Sequence, residues 1–150
     1  MIRIILGILF YLLSSLVYAI GTIPPDTIIT EPYKGTFYAP EHGVTIVMNL
    51  YNEDVVIPGY AILGPTNGYM KGNTNQHLYG IWILTSFELN SDNVLLRFSN
   101  DLGSESQTVS FRIQKDGFYK YRTIGGNEVK KIVGKKFIKT ASEMIFELKR

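Results

Sequence analysis

The side chains able to do chemistry in this 150-residue chain are scattered acids, two histidines, a few serines and a surplus of tyrosine. Glu53-Asp54, Asp92 and Asp101 all sit among turn-forming residues. Carboxylates that cleave a glycosidic bond must be held about 5–9.5 Å apart by rigid elements, whereas acids in turns are ordinarily solvated turn formers. A hydrolase built on these four is therefore the last-placed reading. His42 and His77 stand apart in the sequence. A metal site wants three or four ligands at fixed spacing, and a Glu41/His42/His77 set would need strand pairing to assemble it. We expect no metal and no cofactor. Gly103-Ser104-Glu105-Ser106 lacks the closing glycine of a nucleophile elbow. No glycine-rich loop carries the lysine-serine pair that cradles phosphate. The chain has no cysteine, which removes disulfides, thiolate zinc sites and cysteine nucleophiles together. The residues point away from an enzyme.

Two groups remain. The first is aromatic: ten tyrosines and eight phenylalanines, with one tryptophan, are many for this length. Tyrosine joins an apolar body to a polar tip, which suits recognition of a ligand or partner. Tyr60, Tyr69, Tyr79, Trp82, Tyr119 and Tyr121 are the candidate ligand- or partner-binding set. Strand propensity and core filling account for the same aromatics in plainer terms, and Trp82 is equally a core or end-cap residue. The second group is basic. Lys130, Lys131, Lys135, Lys136 and Lys139 fall within ten residues and form a candidate contact for polyanions. The net charge of +2 is too small to imply general affinity for nucleic acid.

The elements that must position these groups read as strands. Val44, Ile46 and Met48 alternate with Thr45, Val47 and Asn49; Val94, Leu96 and Phe98 alternate with Leu95, Arg97 and Ser99. Val109, Phe111, Ile113 and Met144, Phe146, Leu148 repeat the period of two. Turn clusters separate the runs, and Asp116-Gly117 predicts a two-residue type I′ hairpin. All six prolines precede residue 66, leaving the second half free of missing donors. Residues 128–141 fit either a helix broken at Gly134 or two short strands turning there, and Ile132, Val133, Phe137 and Ile138 tilt the choice to strands. The count is about eight to ten short strands with short connections. That predicts an all-β fold: a single small antiparallel barrel of up-and-down type, with a β-sandwich as the alternative.

The N-terminus adds an address. Arg3, the apolar run Ile4–Val17 and Val17-x-Ala19 predict a signal peptide over 1–19, cleaved after Ala19. The run is shorter than the roughly 20 residues of a spanning helix, so no membrane span is expected after cleavage. Residues 20–33, with Pro24, Pro25 and Pro32, predict an extended leader, and 34–150 the barrel domain. Without cysteine or an Asn-x-Ser/Thr acceptor, a bacterial periplasm or exterior suits the chain better than a eukaryotic secretory route.

Gly80-Ile81-Trp82 resembles the Gly-x-Trp motif that opens the first barrel strand of lipocalins, where the tryptophan plugs one barrel end. Gly35-Thr36-Phe37-Tyr38 resembles a segment of avidin-like barrels. Here the Gly-x-Trp follows several expected strands and only residues 83–150 come after it, so both resemblances imply architecture alone. The sequence thus predicts an exported, calycin-like, non-enzymatic barrel holding a small apolar ligand or docking a partner at an aromatic rim. The alternative is an envelope or cell-surface protein whose Lys130–Lys139 cluster contacts anionic polymers.

Overall fold

A computed structural model describes residues 30–73 and 77–150, with the backbone alone at His77. The expected signal peptide and most of the leader lie outside the described residues. The remainder is all-β apart from one 3-10 turn, Ala61–Leu63. Eleven strands follow in order: β1 (Lys34–Ala39), β2 (Val44–Asn49), β3 (Gly68–Gly72), β4 (His77–Leu78), β5 (Trp82–Asn90), β6 (Asn93–Asn100), β7 (Ser106–Ile113), β8 (Tyr119–Gly126), β9 (Lys130–Val133), β10 (Lys136–Lys139) and β11 (Glu143–Lys149). No helix among the described residues is long and apolar enough to cross a membrane.

Eight of these strands close an antiparallel barrel in the order β1-β11-β8-β7-β6-β5-β3-β2. Each barrel strand thus pairs with its predecessor and successor, and β1 meets β11 through Thr36↔Lys149, Phe37↔Leu148 and Tyr38↔Glu147. Closure excludes the sandwich. The alternating residues give the reason: one face of each strand is apolar and must be buried, and a closed sheet buries all of those faces on one axis without leaving an edge. Val44, Ile46, Met48, Val94, Leu96, Phe98, Val109, Phe111, Met144 and Phe146 all point inward and are buried.

An eight-stranded barrel is just wide enough for side chains to fill it, and this one is filled. Phe37, Phe111 and Tyr119 pack centrally, with Phe37 edge-on to Phe111 at 5.4 Å and Phe111 stacked on Tyr119 at 5.3 Å between centroids. Tyr33, which the sequence places in the leader, enters the same core and meets Tyr119 edge-on at 6.2 Å. A bulge between Leu84 and Ser86 resets the alternation in β5, so Phe87 rather than Ser86 packs toward the core.

The connections divide between the two barrel ends. At one end the β2–β3 connection climbs over the outside of the wall, where Val55, Ile57 and Tyr69 form a small second core with Val47, Ile81 and Ile83. The opposite end carries the features that matter for function. There the β3–β5 connection supplies β4 and the β8–β11 connection supplies β9 and β10. These three make a separate antiparallel sheet in the order β10-β9-β4. Its Leu78 and the adjoining Val129 join the barrel core. The strand reading of residues 128–141 is right: β9 and β10 pair from Lys130↔Lys139 to Val133↔Lys136 around Gly134-Lys135. Gly134 sits first in that turn with φ of +64°, where a side chain would strain the backbone.

The Asp116-Gly117 expectation needs correction. Ile113 pairs with Tyr119, Gln114 N donates to Phe118 O at 2.8 Å, and Gly117 N donates to Gln114 O at 3.0 Å. The loop is therefore three residues, Lys115-Asp116-Gly117, and only Gly117 takes positive φ, at +83°. Asp116 stays in an ordinary conformation because the extra residue absorbs the twist, as in a type I turn followed by a glycine bulge.

Candidate functional site

The six candidate aromatics do not form a rim. Trp82, Tyr119 and Tyr121 are fully buried inside the barrel. The charged residues that alternate with them, Lys120 and Arg122, take the outer face, so the tyrosines must turn inward. Trp82 pairs with Asn100 and Met70 at the start of β5, near the barrel end that carries the small sheet, and its indole N–H donates to Tyr79 O at 3.3 Å. This is the core and end-cap role. Tyr69 lies on the outer wall, covered by the β2–β3 connection. Tyr60 is pinned there by a 2.6 Å hydrogen bond from its phenol to Asp101. That bond, with a smaller contribution from burial, raises the Tyr60 pKa. With bulky side chains occupying the interior, the barrel is a packed core rather than a ligand chamber.

Tyr79 alone of the six is largely exposed, at 47 %. It leaves β4 beside β9, its N–H donating to Lys130 O at 2.8 Å. Its ring meets that of Phe137 on β10 edge to face, with centroids 5.0 Å apart and planes at 87°. Phe137 is 59 % exposed. Together the two rings make an exposed apolar patch on the small sheet.

The basic group gathers at the same place. Lys130 and Lys131 lie on β9, Lys136 and Lys139 on β10, and Lys135 in the turn between them. Tyr79, Phe137, Lys130 and Lys139 line a cleft of about 390 Å³ together with Glu105 from the β6–β7 connection. Lys139 also pairs with Glu128 at 2.7 Å. The structure therefore joins one member of the aromatic set to the basic set. Phe137 and Glu105 complete the site and were not singled out by the sequence. For Phe137 the signal was present, as an aromatic between lysines in the four-residue strand Lys136–Lys139.

Three of the four candidate acids are engaged elsewhere. Asp54 receives both hydrogen bonds of the Asn49 amide at 2.9 Å, Asp92 lies 3.9 Å from Arg112, and Asp101 holds Tyr60. Among the described residues no group of three or more histidines or acids is placed to hold a metal ion. A second basic face, on the outside of β7 and β8, was not anticipated. Arg112 and Lys120 line an open cleft of about 540 Å³ with Ile113, Gln114, Lys115 and Asp116. Exposed Phe118 and Ile145 lie on the same outer face, Ile145 directly opposite Lys120, and Glu143 pairs with Lys120 at 3.1 Å and with Arg122 at 3.5 Å. Both of these cations are engaged by the Glu143 carboxylate, and no pair of exposed rings in mutual contact is found beside them among the described residues.

In comparisons with known proteins, no family model matches the chain, and no curated protein or solved structure matches it significantly. The site must be read from its own chemistry. The rings give an apolar contact area, and two lysines, Lys130 of β9 and Lys139 of β10, line the cleft with them.

Proposed function

We propose that this chain is an exported, non-enzymatic binding protein of calycin-like architecture that meets an anionic partner with the three-stranded sheet at one barrel end. The observation that carries the reading is the cleft lined by the exposed Tyr79–Phe137 pair together with Lys130 and Lys139. The apolar rings supply burial and the ammonium groups supply attraction and orientation, the usual division of labour in a polar-rimmed interface. The packed barrel is then a scaffold, and partner docking replaces the small apolar ligand as the favoured form of binding.

The test is retention on heparin-type and lipopolysaccharide matrices. Surface cations act through a screening length of about 8 Å at physiological salt, so retention is expected to fall steeply as salt rises. Lys130→Gln with Lys139→Gln lowers it, and Tyr79→Ala with Phe137→Ala lowers it at every salt concentration. Lack of retention in low salt, or retention untouched by these four changes, overturns the reading.

A further inference from the structure

We infer that the partner at this cleft is an extended acidic polypeptide segment that adds to the outer edge of β10 as a fourth strand of the small sheet. The inference rests on the proposed docking of an anionic partner there and names its chemical class.

The argument begins with the backbone. Among the described residues, β10 pairs with β9 and has no strand on its other side. In an antiparallel hairpin with a two-residue turn, the closing pair turns its backbone groups inward, and successive pairs alternate. Val133 and Lys136 close the turn. Lys131 and Ile138 therefore also face each other, whereas the N–H and C=O of Phe137 and Lys139 face outward. Two hydrogen bonds beyond the hairpin agree with this phase. Thr140 N donates to Val129 O at 2.9 Å, the next inward pair, while Lys130 O, opposite Lys139, is turned away to accept from Tyr79.

Phe137 and Lys139 thus present backbone donors and acceptors at the edge and their side chains on the cleft face, beside Tyr79 and Lys130. An added strand would bond to that backbone while its alternate side chains lay over the Tyr79–Phe137 rings, the arrangement by which sheet edges capture extended peptides. The charges choose the occupant. A second copy of this chain, pairing edge to edge, would bring Lys135, Lys136 and Lys139 against the same three lysines. Like charges across paired strands destabilise, and edge lysines are a recognised guard against self-pairing. An acidic strand turns the same lysines into attraction.

The experiment titrates the full chain with an eight-residue capped peptide of alternating glutamate and valine, and separately with a heparin hexasaccharide. Peptide binding is followed by calorimetry and by amide hydrogen exchange. Lys139→Gln removes a charge, whereas Lys139→Pro also removes an outward N–H that no described strand uses. The expected result is peptide binding that slows exchange at Phe137 and Lys139. Lys139→Pro should bind the peptide about tenfold more weakly than Lys139→Gln, the effect of losing one well-made hydrogen bond. Heparin should respond to the two variants alike. Equal peptide binding by both variants, or peptide binding without protection of those two amides, overturns the inference. Should Lys139→Pro fail to fold, the exchange measurement on the unaltered chain still decides. Heparin binding without peptide binding overturns the inference and leaves the anionic-partner reading standing; binding of neither overturns both.

Discussion

Tyr121 donates its phenolic proton to the side-chain oxygen of Gln107 inside the barrel, and the Gln107 amide donates in turn to Asn127 O at 3.0 Å. Both side chains are buried, so the pair links the core to the segment that leads into β9. Tyr121→Phe keeps the ring and leaves the Gln107 oxygen without its donor. The expected loss is about 1–3 kcal/mol of stability, read from urea unfolding, because a buried acceptor stripped of its partner keeps its desolvation penalty. A change below about 0.5 kcal/mol would show that water reaches Gln107.

Burial raises the phenol pKa of Tyr119 to about 12, with further contributions from neighbouring Tyr33 and Tyr51. Tyr33 and Tyr121 are raised chiefly by burial as well. An unfolded phenol ionises near about 10. Above that pH the unfolded chain releases protons that the folded chain retains, so stability is complete below about pH 10 and falls as pH rises toward 12. Unfolding midpoints measured from pH 8 to pH 12 check this, and Tyr119→Phe should flatten the decline. A midpoint that rises with pH in that window would contradict it.

Arg112 on β7 stands directly opposite Lys120 on β8, two cations on one outer face. The Arg112–Asp92 contact is 3.9 Å between exposed groups and offsets little. Arg112→Thr is expected to raise stability by a few tenths of a kcal/mol, about the size of a cross-strand pair effect. The gain should shrink in molar salt, where the screening length is about 3 Å. A loss of 1 kcal/mol or more would mean that the arginine stem packs on the wall.

Asn49 organises the start of the β2–β3 connection. Its side-chain oxygen accepts from Tyr51 N at 3.1 Å and Asn52 N at 3.2 Å, while its amide donates to both Asp54 oxygens. Asn49→Asp keeps the shape and sets two carboxylates face to face. Stability should drop by about 1–3 kcal/mol near neutral pH and partly return in acid, where one shared proton restores the contact. A loss independent of pH would point to the turn geometry instead.

Much of the barrel was legible because charge and apolarity alternate cleanly along β2, β6, β7 and β11, and a period of two leaves one option for burial. The same rule applied to Tyr119-Lys120-Tyr121-Arg122 places the tyrosines inside. Reading them as a rim gave weight to the phenol tips rather than to the flanking charges. Phe87 was hidden by the β5 bulge, which shifts the phase by one residue at Thr85. The site itself was half visible: the lysines are adjacent in sequence, but Tyr79 reaches Phe137 only because β4 pairs with β9, His77↔Ile132 and Leu78↔Lys131. No local pattern announces a pairing between connections that leave different strands.

The β1–β11 seam sets the timetable of folding. Every other barrel pairing joins strands that neighbour each other around the meander, but Phe37 must find Leu148. A nascent chain lacking its last strand carries an open, curled sheet with β1 and β8 unpaired at its edges. Such long-range contacts make folding slow, since the entropy of bringing distant segments together is spent before the contact forms. Barrel closure therefore waits for β11 to meet β1, and the interval before it is when the chain is most open to aggregation, proteolysis or a chaperone's grip.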